Sequence, residues 1–511
     1  MIKRWYWILF ALILAAAFII RIVPVRSNNF YFTMDQADDA LHVRELLSRG
    51  QWPLVGPVTN IDNLFAGPGW YYFIAVGYAL AAGNPVGALI EVILINVLTF
   101  AMVMLRIRKE VSAAWALIIG SVLLTSWALL DTSRYAFNPF PLTIFAFLVL
   151  FSLSDVFAGK EIQYIWAAFW VGLGFHAEVA GSMAVAIFFI IVTVWARIKG
   201  HISWTMIAGG MSMIVILFTP FLVSEIQTDF LETRTVIEQF HTGGTFTRSS
   251  VSAITQTVHE DIVRSTFRQI PELGLALFCA VVFFVWYRWF KKVHVNKFIY
   301  RYSILSFTLL AVSWIFFSSN NGWREWHTLY LSPVVFVMLL LMLHEMDIRL
   351  SAGIIIVSLY SHLAGFIPAY IYNLTPTSDA SLLHNELAAI DWVYRESSGR
   401  GFAVYNYLPS VYDYPYQYLF WWYGRKTYGY LPCEYASYPG APKLVIPGAA
   451  YYTGPAKPCT DLRFLIIEPD DAHAAYRQSW IDGASAGSTL LTQTRVGTIL
   501  VEKRHIDAGT N

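Results

Sequence analysis

Three carboxylates, Asp35, Asp38 and Asp39, fall within five residues shortly after the first long apolar run of the chain. Acids held that close to lipid are costly unless they are solvated, paired or at work. Helical spacing places Asp35 and Asp38 on one face, with Asp39 beside them. A carboxylate partly stripped of water by apolar walls holds a proton more tightly than usual, which suits it to take one from a hydroxyl. A solvated helix face has the same spacing, so spacing alone leaves both readings open. His176 and Glu178 stand near the end of a later apolar run. Imidazole and carboxylate at membrane depth point to a polar cavity or to a pair tying two helices, and Glu225 admits the same two readings.

The elements that must position these groups are set by composition. The chain has 511 residues, 57% hydrophobic and 14% charged, and 35 Lys plus Arg against 34 Asp plus Glu leave a net charge of +1. Soluble domains run nearer 25% charged, so the chain is a membrane protein. Its balanced charge lacks the clustered basic footprint of nucleic-acid binding. Nearly uncharged runs recur at about 5–20, 86–105, 111–130, 141–158, 162–177, 179–195, 203–222, 272–289, 302–318, 329–344 and 352–371, predicting about eleven transmembrane helices. The first run resembles a signal peptide, but Arg21, Pro24 and Arg26 follow it in place of a small-residue cleavage site, and it reads as a helix.

All seven lysines before residue 372 fall in alternate loops, with Arg4, Arg106, Arg108, Arg197, Arg288 and Arg301, which assigns those loops to the cytoplasm. Consistency then makes the short run 69–82 interfacial or re-entrant. The opposite face receives loops at about 21–85 and 223–271, with short links at 131–140 and 319–328. Residues 1–371 thus form a transmembrane domain and 372–511 an extracytoplasmic α/β domain. Within the latter, strands are expected at Phe402–Tyr407, Lys443–Ile446, Phe464–Ile467 and Thr498–Glu502, and a helix over Leu382–Arg395. Cys433 and Cys459 lie there, where an oxidising compartment would let them pair, while Cys279 is a packing residue within a span. No CxxC, HExxH, Walker loop or dinucleotide fingerprint is present.

A first membrane helix, then Asp35-x-x-Asp38-x-Ala40-x-x-x-Arg44-Glu45, then Gly67-Pro68-x-x-Tyr71-Tyr72, resembles the GT-C membrane glycosyltransferases related to protein O-mannosyltransferases and aminoarabinose transferases. Ser133–Pro139, Thr219–Glu225 with Glu232-Thr233-Arg234, and the aromatic stretch Tyr412–Tyr430 extend the likeness over nearly the whole chain. Two positions depart from the family pattern: its usual Asp-Glu pair is Asp35-Gln36 here, and the His or Lys often found before Gly-Pro is Ala66.

The resemblance implies a GT-C type fold and transfer of a sugar, usually with inversion, from a polyprenyl-phosphate donor to a hydroxyl on a lipid, glycan or protein acceptor. The reaction would take place on the exported face of a prokaryotic plasma membrane. It implies Asp35 as the base, with Asp38 and Asp39 as capping or metal-holding understudies. Every exported cation before residue 372 is an arginine (Arg21, Arg26, Arg44, Arg49, Arg134, Arg234, Arg248, Arg264, Arg268, Arg324), and the guanidinium fork grips phosphate through two bonds. Arg134, Arg324, His327 and Tyr330 are therefore expected at the donor phosphate, and Asn138, His176, Glu178 and Glu225 around the substrate cavity. No metal ligands are assigned, and no acidic pair near Asp131 supplies a second metal-holding site, although a divalent cation stays open. A lipid-linked sugar flippase or an envelope scaffold are the alternatives, and the inverted repeats expected of a transporter are not evident. The Tyr412–Tyr430 cluster reads as packing before sugar stacking.

Overall fold

The computed structural model describes residues 2–126, 129–130, 132–242, 251–252, 255, 270–291, 295–318, 324–442, 446–449, 454 and 456–507. Arg248, Arg264, Arg268 and Asp131 lie outside the described residues, as does most of the expected strand Lys443–Ile446.

The helical part runs α1 (Ile2–Ile22), α2 (Met34–Arg49), α3 (Gly69–Leu80), α4 (Val86–Glu110), α5 (Ala113–Leu123), α6 (Leu142–Val156), α7 (Gln163–Gly174) and α8 (Val179–Ile198). It continues with α9 (Trp204–Leu217), α10 (Thr219–Gln227), α11 (Leu231–Thr242), α12 (Pro271–Phe290), α13 (Lys297–Ser318), α14 (Leu331–Leu343) and α15 (Ile348–Tyr372). Every apolar run of the sequence is helical over at least part of its length. Among the described residues, seven helices are long and apolar enough to cross a membrane, or eight if α9 and α10, bent by 55°, form one broken span. The expected count of about eleven is not carried by length. Helices α5, α6 and α7 have 11, 15 and 12 residues, and at about 1.5 Å per residue they fall short of a hydrocarbon core of about 30 Å. At 12 residues α3 is likewise too short to cross alone.

Polar caps start several of these helices: Ser112 Oγ accepts from Trp115 N at 3.2 Å, and Asp347 from Arg349 N at 2.9 Å. Helix α14 is buried on every side, as a helix apolar all round must be, and packs against α6, α12 and α13 at the centre of the bundle.

The C-terminal part is a sheet domain with α16 (Leu383–Ser397), β1 (Ala403–Tyr407), α17 (Tyr414–Leu419), a π turn over Phe420–Gly424, α18 (Arg425–Tyr428), β2 (Glu434–Ala436), β3 (Leu462–Ile467), α19 (Ala474–Ser485), β4 (Ser488–Val496) and β5 (Ile499–Ile506). The order is β2-β1-β3-β5-β4, parallel about β1 and antiparallel from β3 through β5 to β4, with Val404 opposite Phe464. Alternation sorts the strands. Val404, Phe464 and Ile466 face α16, whereas Tyr405, Tyr407, Leu465 and Ile467 face Trp480 of α19. Cys433 and Cys459 form a disulfide, and Cys279 is exposed on α12.

One apolar core joins α2 and α3 to the sheet domain: Phe32, Leu41, Trp70 and Ile74 pack in the same cluster as Leu383, Ile390 and Tyr418. Backbone hydrogen bonds from Leu383 N to Phe30 O and from Phe32 N to Ser381 O, both 3.0 Å, fix the strand-like segment that leads into Asp35. Helix α2 is therefore clamped between the bundle and the sheet domain.

Candidate active site

Helix α2 begins immediately before the acids, with Thr33 as its N-cap. Gln36 Oε1 accepts from Thr33 N at 3.1 Å and from Thr33 Oγ1 at 2.6 Å, so the residue that departs from the Asp-Glu pair completes a capping box with the N-cap Thr33. Asp35 lies in the first helical turn, where the exposed N–H groups favour negative charge. Gly50, in the left-handed region at φ 65°, ends the helix.

The three acids pass from solvent to core. Asp35 is exposed, yet packed protein on its inner side removes enough water to raise its pKa, and the charge of Asp38 raises it further. Asp38 is half-buried; burial raises its pKa, and His42, whose Nδ1 lies 3.5 Å from Asp38 Oδ1, opposes the rise. Asp39 is 5% exposed, and its Oδ2 accepts from Trp70 Nε1 at 2.6 Å. Burial lifts the Asp39 pKa well above the usual range, the indole donor offsets part of this, and Asp38 and Asp35 add to it. The His42 ring stacks on Tyr71 with centroids 4.8 Å apart. His42 and Trp70 did not figure in the sequence analysis, and Tyr71 did so only as part of the Gly67-Pro68-x-x-Tyr71-Tyr72 motif. His42 carries the signal that placed the acids, since it stands four residues after Asp38 on the same face; Trp70 on α3 has no such local signal.

Arg134 is held at this segment. Its Cζ lies 4.7 Å from the Tyr31 ring centroid, its carbonyl accepts from Tyr31 N at 3.2 Å, and its Nη1 donates to Asn373 Oδ1 at 2.8 Å. Its Nε is buried without a hydrogen-bond partner. From Tyr31 a chain of ring contacts runs through Tyr135, Phe137 and Trp326 to His327, at centroid separations of 6.3, 5.6, 6.2 and 5.8 Å. The link bearing Arg134 and the one bearing Arg324 and His327 are thereby brought together. Arg324 is exposed and its backbone N–H donates to His327 Nδ1 at 3.2 Å; His327 Nε2 lies 3.8 Å from Glu178 Oε1. Tyr330 is buried, its hydroxyl 2.7 Å from Ser313 Oγ.

The expected cavity residues spend their polar atoms on backbone. Glu178 caps α8 by accepting from Ala180 N at 2.7 Å and from Gly181 N. His176 Nδ1 accepts from Gly69 N at 3.1 Å, which leaves Nε2 to donate to Leu217 O at 3.1 Å. Asn138 Nδ2 donates to Ala177 O at 2.6 Å. Glu225 caps α11, accepting from Glu232 N at 2.9 Å and Thr233 N at 3.0 Å. Glu232, quoted from the sequence only as part of the Glu232-Thr233-Arg234 segment and given no role there, accepts from Phe65 N at 3.3 Å, and burial pushes its pKa up to about 7. His176 and Glu178 thus serve different neighbours and do not act as one pair. Among the described residues, clefts of about 380 and about 620 Å³ lie elsewhere, and Asp35 lines neither of these. Among the described residues no group of three or more His, Cys, Asp or Glu is placed to hold a metal ion.

No protein-family model matches the sequence, and no curated protein matches it. Solved structures do match. ArnT from Cupriavidus metallidurans bound to undecaprenyl phosphate superposes with a TM-score of 0.60 at 12% identity, over 96% of this chain and 97% of that one. The apo state of the same protein gives a TM-score of 0.60 at 13% identity over the same shares. The chain has an ArnT-like GT-C fold, with membrane-capable helices and a small C-terminal sheet domain.

Proposed function

We propose that the chain is a glycosyltransferase that moves a sugar, with inversion, from a polyprenyl-phosphate donor to an acceptor hydroxyl on the exported face of the membrane. The observation that carries this reading is the fold: end to end, the chain follows that of ArnT, a protein solved with undecaprenyl phosphate bound. The acidic row on α2 supplies the chemistry such a transfer needs.

In the proposed step the acceptor oxygen forms a bond to the anomeric carbon while the bond from that carbon to the phosphate oxygen breaks. The bonding pair leaves with the polyprenyl phosphate, and the acceptor proton passes to the Asp35 carboxylate. A base whose proton affinity is raised by lost hydration retains that proton better than a fully solvated carboxylate. Asp38 tunes Asp35 through its charge, and Asp39, tied to Trp70, fixes α2 against α3. Arg134, with its buried Nε unpartnered, and Arg324, exposed across the aromatic chain, are assigned to the leaving phosphate. His327 and Tyr330 hold the Arg324 turn against the bundle.

The test is incubation of the purified full chain with a polyprenyl-phosphate sugar, following release of polyprenyl phosphate and transfer of labelled sugar to acceptor. Donor cleavage with transfer is expected. Movement of intact donor between leaflets without cleavage would establish the flippase reading instead.

A further inference from the structure

On the far side of α2 from the acidic row lies the cleft of about 380 Å³. At about 100° per residue, Arg44 points about 180° away from Asp35, so α2 is a wall shared by two separate regions. The cleft is cationic and aromatic. Arg44, 3% exposed, is buried in its wall, where Nη2 donates to Pro447 O at 2.7 Å and Nε lies 3.7 Å from Glu45 Oε1; Arg425 and Lys426, exposed at its edge, are the cations presented to a ligand, and among the described residues no carboxylate lines it. Arg44 and Arg425 both lie on the Trp421 ring, 5.3 and 5.2 Å from the centroid, and Lys426 sits 6.0 Å from that of Trp422.

These walls are fixed. Tyr418 donates from its hydroxyl to Gly83 O at 2.7 Å and Trp422 from Nε1 to Ala82 O at 3.0 Å, which locks the aromatic helix onto the turn between α3 and α4. Gly83 has φ +85°, and a Cβ there would fall 2.6 Å from Trp422 Cδ1, so the close approach requires glycine. The neighbourhood is also greasy. Leu47, which lines the cleft, is 48% exposed, and Leu80, between the lining residues Ala79 and Ala82, is 84% exposed. Guanidinium and ammonium groups grip phosphate oxygens, indole faces pack on the glycerol portion, and exposed leucines accept acyl chains.

We infer that this cleft binds the phosphate headgroup of an anionic membrane lipid, at a site separate from the acidic row and independent of whether Asp35 carries out transfer. The full chain in uncharged detergent is titrated with short-chain phosphatidylglycerol, with short-chain phosphatidylcholine and with inorganic phosphate, following tryptophan emission. A saturable change is expected with phosphatidylglycerol and not with phosphatidylcholine, weakened by added salt. The surface variant Arg425→Ala/Lys426→Ala should weaken it on the order of tenfold while leaving the melting temperature unchanged. Trp421→Phe should remove most of the emission change, since two of the three cations lie on that ring. Equal response to the zwitterionic lipid, undiminished binding by the double variant, or no saturable response overturns the inference. Binding of inorganic phosphate as tight as that of phosphatidylglycerol overturns the assignment to a lipid.

Discussion

The hydrogen bond from Trp70 Nε1 to Asp39 Oδ2, 2.6 Å between buried partners, separates positioning from proton transfer. Asp39→Ala leaves the indole N–H without its acceptor in a site that water does not reach, which costs about 1–3 kcal/mol. Asp39→Asn keeps an acceptor oxygen and removes the charge whose burial lifts the pKa. A raised carboxyl pKa means that the folded chain binds the proton more tightly than the unfolded one. The contribution of Asp39 to stability is therefore greatest below its unfolded pKa of about 4 and declines as pH rises through its folded value. Asp39→Asn should remove that decline, matching or exceeding the wild type at neutral pH, whereas Asp39→Ala should lie below it. Thermal unfolding of purified wild type, both variants, Trp70→Phe and the double variants across a pH series reads these differences. The Asp39→Ala/Trp70→Phe cycle should give a coupling of roughly 0.5–3 kcal/mol. Asp39→Asn should also retain turnover. An Asp39→Ala chain as stable as wild type, or an Asp39→Asn chain that keeps the wild-type pH dependence, would refute the reasoning.

Three further outcomes are expected. The Cys433–Cys459 disulfide closes a loop with a sequence separation of 26, which chain entropy makes worth about 3.5 kcal/mol, so Cys433→Ala/Cys459→Ala should lower the unfolding transition of the sheet domain by several degrees in a melt read without reductant. Gly83→Ala should destabilise by roughly 1–3 kcal/mol, read as a lower melting temperature, because its methyl meets Trp422 in a backbone conformation that suits glycine. Asp38→Asn removes the negative neighbour that helps raise Asp35, so the acid limb of a rate-against-pH profile should move to lower pH; a shift to higher pH would contradict the assignment.

The long spans were legible because an apolar run of sufficient length has few alternatives to a helix, and α1, α4, α8 and α15 lie where the runs do. Hydropathy does not record where a run stops being helical, so the shortness of α5, α6 and α7 and the bend between α9 and α10 were not readable. In the sheet domain, α16, β1, β3 and β5 lie close to their predicted positions, while β4 gave no signal. Its residues Ser488–Val496 are mostly exposed and polar, and it is a strand because β5 pairs with it. The three-residue β2 and the weakly amphipathic α19 were missed for similar reasons. At the site, local spacing revealed the acidic row and would have revealed His42. Trp70 was hidden because its partner is 31 residues away in sequence, a tertiary contact. His176 and Glu178 misled in the opposite sense: adjacency suggested a joint role, but one ties the 67–69 turn to α9 and the other caps α8.

The central claim is that Asp35 takes the acceptor proton. The purified Asp35→Asn chain, compared with wild type on a polyprenyl-phosphate sugar under saturating donor, tests it most directly. Turnover reduced roughly 10²–10⁴-fold, with an unchanged melting temperature and unchanged donor binding, is the predicted result. Wild-type turnover by Asp35→Asn would contradict the account.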